Sequence, residues 1–127
     1  MRKNESAEDY LEAILILSKK KPVVRGVDVA EELGYKKSSV SVAMKHLRES
    51  AHITVTKEGY IYLTETGLSI AEMIYERHQL LSSWLIYLGV DNETAHDDAC
   101  RIEHDISTQS FEKIKEHILS TIQQKPT

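Results

Sequence analysis

His96, Cys100, Glu103 and His104 follow one another at spacings of four, three and one. On a helix, residues three and four apart stand one turn above each other, so imidazole, thiolate and carboxylate project from one face. These donor types hold divalent transition metals. Oxygen and imidazole suit Mn(II) and Fe(II), while a thiolate raises the preference for Fe(II), Co(II) and Zn(II). One histidine or one cysteine on an amphipathic helix is ordinarily packing; four donors on one face read as a metal-binding surface. Asp9 and Glu12 are also three apart, and a carboxylate pair there equally fits a hydrated acidic face at a helix N-terminus. His78, in a long apolar-rich stretch, is a seventh candidate donor.

The elements that must position these groups follow from periodicity. Tyr10, Ala13, Ile14 and Leu17 recur at helical spacing and predict a helix from about Ala7 to Ser18, with Ser6 as its cap. A basic run with Pro22 breaks the pattern. A short helix follows from Val27 to Leu33, closed by Gly34, with Val29, Ala30 and Leu33 inward. A third helix, Ser38 to Ser50, turns Val40, Ala43, Met44 and Leu47 inward, and two helices joined by so short a turn make a helix-turn-helix. After Ala51 the period changes to two, through Ile53 and Val55, a Glu58-Gly59 turn, and Tyr60 to Leu63, which predicts a hairpin serving as a wing. Thr64 caps a long helix from Glu65 toward Leu88, ended by Gly89. Further helices are expected from Asn92 to Ser107 and from Ser110 to Gln123. The fold class is therefore mostly α with a small β-hairpin. Residues 1–65 form a winged helix-turn-helix domain, and residues 66–127 a helical domain for metal binding and dimerisation.

A chain of 127 residues with 41% apolar content can bury one ordinary core or two small lobes. No apolar run reaches the roughly 20 residues that cross a bilayer, and the charged stretch from Met1 to Glu12 does not resemble a secretory leader. A cytoplasmic location is expected. There a lone cysteine, Cys100, stays reduced and available as a ligand.

The net charge of -4 conceals an asymmetry. Residues 1–65 carry 11 Lys and Arg against 10 Asp and Glu, whereas residues 66–127 carry 5 against 10. Within 36–57 the charges are Lys36, Lys37, Lys45, Arg48 and Lys57 against Glu49 alone. Such a patch fits phosphates. The outward positions of the third helix, Ser38, Ser39, Ser41, Val42, Lys45, His46 and Arg48, are mostly small or polar, as close approach to base edges requires. Lys57 on the wing would grip the neighbouring backbone. Positions 38–46 offer no outward Arg, Asn or Gln, so the strongest bidentate base readers are missing.

The run His96-Asp97-Asp98-Ala99-Cys100-Arg101-Ile102-Glu103-His104 resembles the diphtheria toxin repressor family of iron- and manganese-dependent regulators. So do the opening Ala7-Glu8-Asp9-Tyr10-Leu11-Glu12, the helix-turn-helix, and Arg77-His78-Gln79-Leu80-Leu81. The resemblance spans most of the chain, and its most specific part is the Cys-x-x-Glu-His run. It implies a homodimer that binds a palindromic double-stranded operator when loaded with a divalent metal, repressing metal-uptake genes. With its end at Thr127 and no strand-rich SH3-like domain, the chain is expected to be the short, manganese-type form. Asp9, Glu12, His78, Glu103 and His104 look like the manganese-responsive branch, in which paired carboxylates hold two ions. Cys100 and His96 look like the iron-responsive branch, which uses cysteine where the manganese type has a bridging glutamate. The iron branch has Met in place of Asp9, and its ancillary site uses Glu where this chain has Ser82. Fe(II) is thus expected slightly ahead of Mn(II), at one or two ions per subunit.

Leu80, Leu81, Trp84, Leu85 and Leu88 exceed what one helix needs for its own lobe and are expected to face a second subunit. No His-Glu-x-x-His pair or phosphate-cradling glycine loop is present, and the five glycines read as turns or helix ends, so an enzyme is not expected. The alternative is a winged-helix regulator that senses an organic ligand or thiol oxidation through Cys100. That reading gives Asp9, Glu12, Glu103 and His104 no role.

Overall fold

A computed structural model describes the backbone of residues 3–123 and the side chains of residues 7–121. Among the described residues, six helices and one two-stranded antiparallel sheet follow in the order α1 (Lys3–Lys20), α2 (Gly26–Leu33), α3 (Lys37–Glu49), β1 (Ile53–Val55), β2 (Ile61–Leu63), α4 (Glu65–Leu88), α5 (Asn92–Asp105) and α6 (Thr108–Gln123). The chain divides into two compact units, Met1–Met73 and Ile74–Thr127.

In the first unit, α1 packs on α2, α3 and β2. It is longer than its apolar period indicates. The helix already runs at Ser6, so that residue is not its cap, and the expected cap side chain lies outside the described residues. At the other end, Lys19 and Lys20 extend the helix instead of breaking it, because cations in a last turn offset the partial negative charge of the exposed carbonyls. Leu11, Ile14 and Leu17 of α1, Val29 of α2, Val40 and Leu47 of α3, and Ile53 and Ile61 of the sheet are all buried. Each such side chain contributes about 1.5–3 kcal/mol of burial.

Gly34, at a φ of 70°, closes α2 in the left-handed region, as expected of a glycine after a helix. The hairpin pairs Ile53 with Leu63, Thr54 with Tyr62 and Val55 with Ile61. Its turn is wider than two residues. The backbone N–H of Thr56 donates to the carbonyl of Tyr60, and Gly59, at a φ of 88°, donates to the carbonyl of Thr56. The wing is tied to the body where Ile61 N–H donates to the Val24 carbonyl at 2.8 Å.

The Thr64 hydroxyl accepts from Gly67 N–H at 3.2 Å, which caps α4. Gly67 is glycine because a Cβ there would collide with the backbone carbonyl of His52. The start of α4 can therefore lie directly against the segment that leads into the wing.

In the second unit, Leu81, Ala99 and Phe111 form a core, with Leu80, Trp84, Ile102, Ile106 and Ile114 packed against it. Leu81 is 1% exposed, so it is a core residue and not the surface residue expected of a dimer face. Leu80 and Trp84 serve the same core. The exposed large apolar groups of α4 in this unit come later, at Ile86, Tyr87 and Leu88. Helix α5 stops at Asp105, two residues before the expected end, where Ile106 adopts extended backbone.

Candidate metal centre and nucleic-acid interface

Helix α5 presents its donors at graded depth. Ala95 and Ala99 face the core and let α5 sit close to its neighbours, while Asp91 caps the helix by accepting from Thr94 N–H at 3.2 Å. The Thr94 side chain first, and its backbone N–H second, hold the Asp91 carboxyl below its ordinary range by hydrogen bonding. On the donor face, Glu103 is fully buried, the His104 side chain is 1% exposed, and Cys100 and His96 are exposed.

His78, from α4, meets this face. Its Nδ1 lies 2.8 Å from Glu103 Oε1, and its Nε2 lies 3.0 Å from His96 Nδ1. The two imidazoles are stacked with centroids 5.2 Å apart. His104 Nε2 lies 4.0 Å from Glu103 Oε2, and the Cys100 thiol lies within 4.8 Å of a ring nitrogen of His104. Five of the seven expected donors thus belong to one neighbourhood of the second unit. Asp9 and Glu12 both lie half-buried on α1, in the first unit. Ser82, at the place of the ancillary glutamate, is buried with its hydroxyl donating to the carbonyls of His78 at 2.7 Å and Gln79 at 3.3 Å. It is engaged by its own helix.

Burying a carboxylate costs several kcal/mol unless charge and hydrogen bonds compensate. Beside Glu103 stand the His78 imidazole at hydrogen-bond distance and the His104 imidazole at 4.0 Å, with the Cys100 thiol next to His104. A carboxylate, imidazoles and a thiol in this arrangement form a donor set that fits a divalent transition metal.

The sequence reading missed Arg77. It is 5% exposed, and its Nη1 donates to the carbonyls of Glu103 at 2.9 Å and Ile106 at 3.0 Å, with the guanidinium carbon 5.2 Å from the centre of the Phe111 ring. Arg77 therefore caps the C-terminal end of α5 and fixes the backbone that carries Glu103. The only signal in the sequence is an arginine beside His78 in an apolar stretch, and its partners lie 26 and 29 residues away.

The structure places all nine expected DNA-contacting residues at the surface: Lys36, Lys37, Ser38, Ser39, Ser41, Val42, Lys45, Arg48 and Lys57. A groove of about 470 Å³ runs along α3 beside the wing, with Lys37, Lys45 and Arg48 at its lining together with Val42 and Val55. The wing is fastened by a residue that the sequence reading also missed. Arg25 Nη2 donates to the Tyr60 hydroxyl at 3.2 Å, and the guanidinium lies 5.0 Å from the ring centre. Arg25 is held in turn at the start of α2, where its backbone N–H donates to Asp28 Oδ2 at 2.9 Å.

Known proteins share both halves. Residues 4–61 match the iron dependent repressor N-terminal DNA binding domain, and residues 64–126 match the iron dependent repressor metal binding and dimerisation domain. The chain is 36% identical over 109 residues to the HTH-type transcriptional regulator MntR of Bacillus pumilus, covering 86% of this chain and 76% of that protein. It is 32% identical over 114 residues to an uncharacterized HTH-type transcriptional regulator of Methanocaldococcus jannaschii, covering 88% of this chain and 91% of that one. Among solved structures, a manganese-dependent transcriptional repressor in complex with manganese is similar at a TM-score of 0.80 and 28% identity, over 88% of this chain and 52% of that one. The T. acidophilum IdeR structure shares the fold at a TM-score of 0.76 and 24% identity, over 91% and 53%. The chain spans about half the length of these two solved structures.

Proposed function

The chain belongs to the iron-dependent repressor family, and from that membership we propose that it is a DNA-binding transcriptional repressor activated by a divalent transition metal. The observation that carries this reading is the gathering of His78, Cys100, Glu103 and His104 in a chain whose other half is a winged helix with an exposed basic face. The proposed ligands are these four with Asp9 and Glu12 of α1, while His96 is the outermost of the expected donors. When bound, the cation supplies positive charge against the carboxylates and a fixed coordination geometry. If Asp9 and Glu12 share the ion with Glu103, the carboxylates repel one another without that charge, and whichever arrangement keeps them apart is favoured. Differential binding to one of two arrangements is enough to shift their populations. At free metal about 100 times the dissociation constant, the linkage supplies about 2.7 kcal/mol if only one arrangement binds.

The proposed DNA partner is a palindromic duplex read by a homodimer, with Lys36, Lys37, Lys45, Arg48 and Lys57 on phosphates and the outward face of α3 in the major groove. Leu85 and Leu88, with the exposed Ile86 and Tyr87, supply the apolar surface for pairing. Cys100 inclines the site toward Fe(II) over Mn(II). A regulator sensing thiol oxidation through Cys100 alone leaves the buried Glu103 and its imidazole partner without a role, and a similar solved structure is that of a manganese-dependent transcriptional repressor.

The test is binding to promoter duplex DNA by fluorescence anisotropy, with Mn(II), with Fe(II) under anaerobic conditions, and after exhaustive chelation. Tight binding should appear only with metal, and Glu103→Ala should abolish the metal response while circular dichroism remains helical. Equal binding after chelation overturns the proposal.

A further inference from the structure

Val42 is the anomaly of the DNA-facing helix. It is 55% exposed, and every other exposed residue of α3 is a serine, lysine, histidine, arginine or glutamate. Its neighbours one turn away on the same face are Ser38, Ser39, Lys45 and His46, so it stands in the middle of the polar stripe. The inward stripe of Val40, Met44 and Leu47 is already buried without it. Val42 forms part of the wall of the open groove beside the wing, but at 55% exposure it contributes little to packing.

The edges of bases in the major groove are donors and acceptors with one exception. Guanine shows N7 and O6, adenine N7 and N6, cytosine N4, and thymine O4 beside a C5-methyl group. An isopropyl group pressed against any of the polar atoms strips it of water and returns no hydrogen bond. Against the methyl group, both surfaces leave water at a gain. The short hydroxyls of Ser38, Ser39 and Ser41 let the backbone of α3 come close enough for this contact, and they bond to any base without strong preference. We propose that Val42 reads a thymine in each half-site through its C5-methyl group, which makes it the residue of α3 that sets base preference. This rests on the reading of α3 as the groove-entering helix of a metal-activated repressor.

The experiment begins by enriching sites from a randomised duplex library with the Mn(II)-loaded protein, and in parallel with chelated protein. No metal-dependent enrichment would defeat the functional reading itself. From the enriched duplex, each thymine is replaced in turn by uracil, which removes the methyl group and leaves the hydrogen-bonding edge unchanged. One thymine per half-site should respond, its loss weakening binding roughly fourfold per half-site, the worth of one buried methyl group. In Val42→Ala the same replacement should have no effect, while Val42→Thr, which keeps one methyl group, should retain part of it. Since Val42 is exposed, both variants should keep the wild-type melting temperature. The proposal is overturned if no thymine responds in the wild-type protein, or if the response is unchanged in Val42→Ala.

Discussion

The two helices that carry chemistry, α3 and α5, spend their polar residues in opposite ways. On α3, Lys37, Ser38, Ser39, Ser41, Lys45 and Arg48 are all exposed, and each remains hydrated when the protein folds. On α5, Glu103 is fully buried and the His104 side chain nearly so. An exposed charge costs little to carry and contributes little to stability, and salt screens it. A buried carboxylate is costly unless its surroundings are complete, so its neighbours become obligatory. The face of α3 should therefore tolerate substitution, with losses that add. The face of α5 should respond to single changes, including changes in residues that touch no metal.

Arg77 gives the sharpest test of that asymmetry. Arg77→Met keeps much of the volume but leaves the carbonyls of Glu103 and Ile106 without their guanidinium donor. A loss of roughly 3 kcal/mol in urea unfolding is expected, from two buried acceptors deprived of a charged donor. The metal response should weaken together with it. A variant within about 0.5 kcal/mol of wild type, the scale of an ordinary surface change, would remove the contrast between the two helices.

The structure shows why one kind of feature was legible and the other was not. Periods of 3.6 and two, with Thr64, Gly34 and Gly89 as punctuation, are local signals. They located α2 to α6 and the hairpin to within about two residues. The spacing of His96, Cys100, Glu103 and His104 is local too, and it marked one face of α5. What decides the depth of Glu103 is not local: His78 is 25 residues away, and Arg77 reaches its backbone across 26. Leu81 failed as an interface residue for the same reason, because apolarity does not say whether Ala99 and Phe111 of the same chain will cover a side chain first. The glycine at 67 shows the same gap, since its need comes from the carbonyl of His52 and not from any turn.

Cys100 offers a graded test, being exposed on the helix that buries Glu103. Cys100→Glu replaces a thiolate with a carboxylate and should move the preference toward Mn(II) by roughly tenfold, a scale familiar for changes around a metal site. The measurement is the ratio of Fe(II) to Mn(II) concentrations that half-activate DNA binding. An unchanged ratio would mean that Cys100 does not touch the metal.

Asp28 tests the first unit away from its DNA face. The backbone N–H of Arg25 first, and Lys21 second, hold its carboxyl below the ordinary value of 3.8. A carboxyl lowered on folding stabilises the folded state above its ordinary pKa, and that contribution is lost as pH falls through the lowered value. Asp28→Ala should therefore cost about 1 kcal/mol at pH 7, the usual worth of a side-chain cap at a helix start. The gap to wild type should narrow as pH falls below 3.8 and close once it has passed the lowered value. A gap that persists there would assign the loss to packing instead of charge.

The smallest effect is expected on α3 itself. Lys45→Ala removes one exposed cation from the proposed DNA face and no buried contact, so thermal stability should not change. If Lys45 meets one phosphate, the slope of log affinity against log salt should fall by about 0.9. Between 50 and 200 mM salt, that makes the variant's loss of affinity about threefold smaller than that of wild type. Arg48→Ala should do the same, and the double variant should show the sum, because the two charges act through counterion release and not through each other. A double variant that loses far more than the sum would mean that these residues form a coupled site like the one around Glu103, and the distinction between the two helices would not hold.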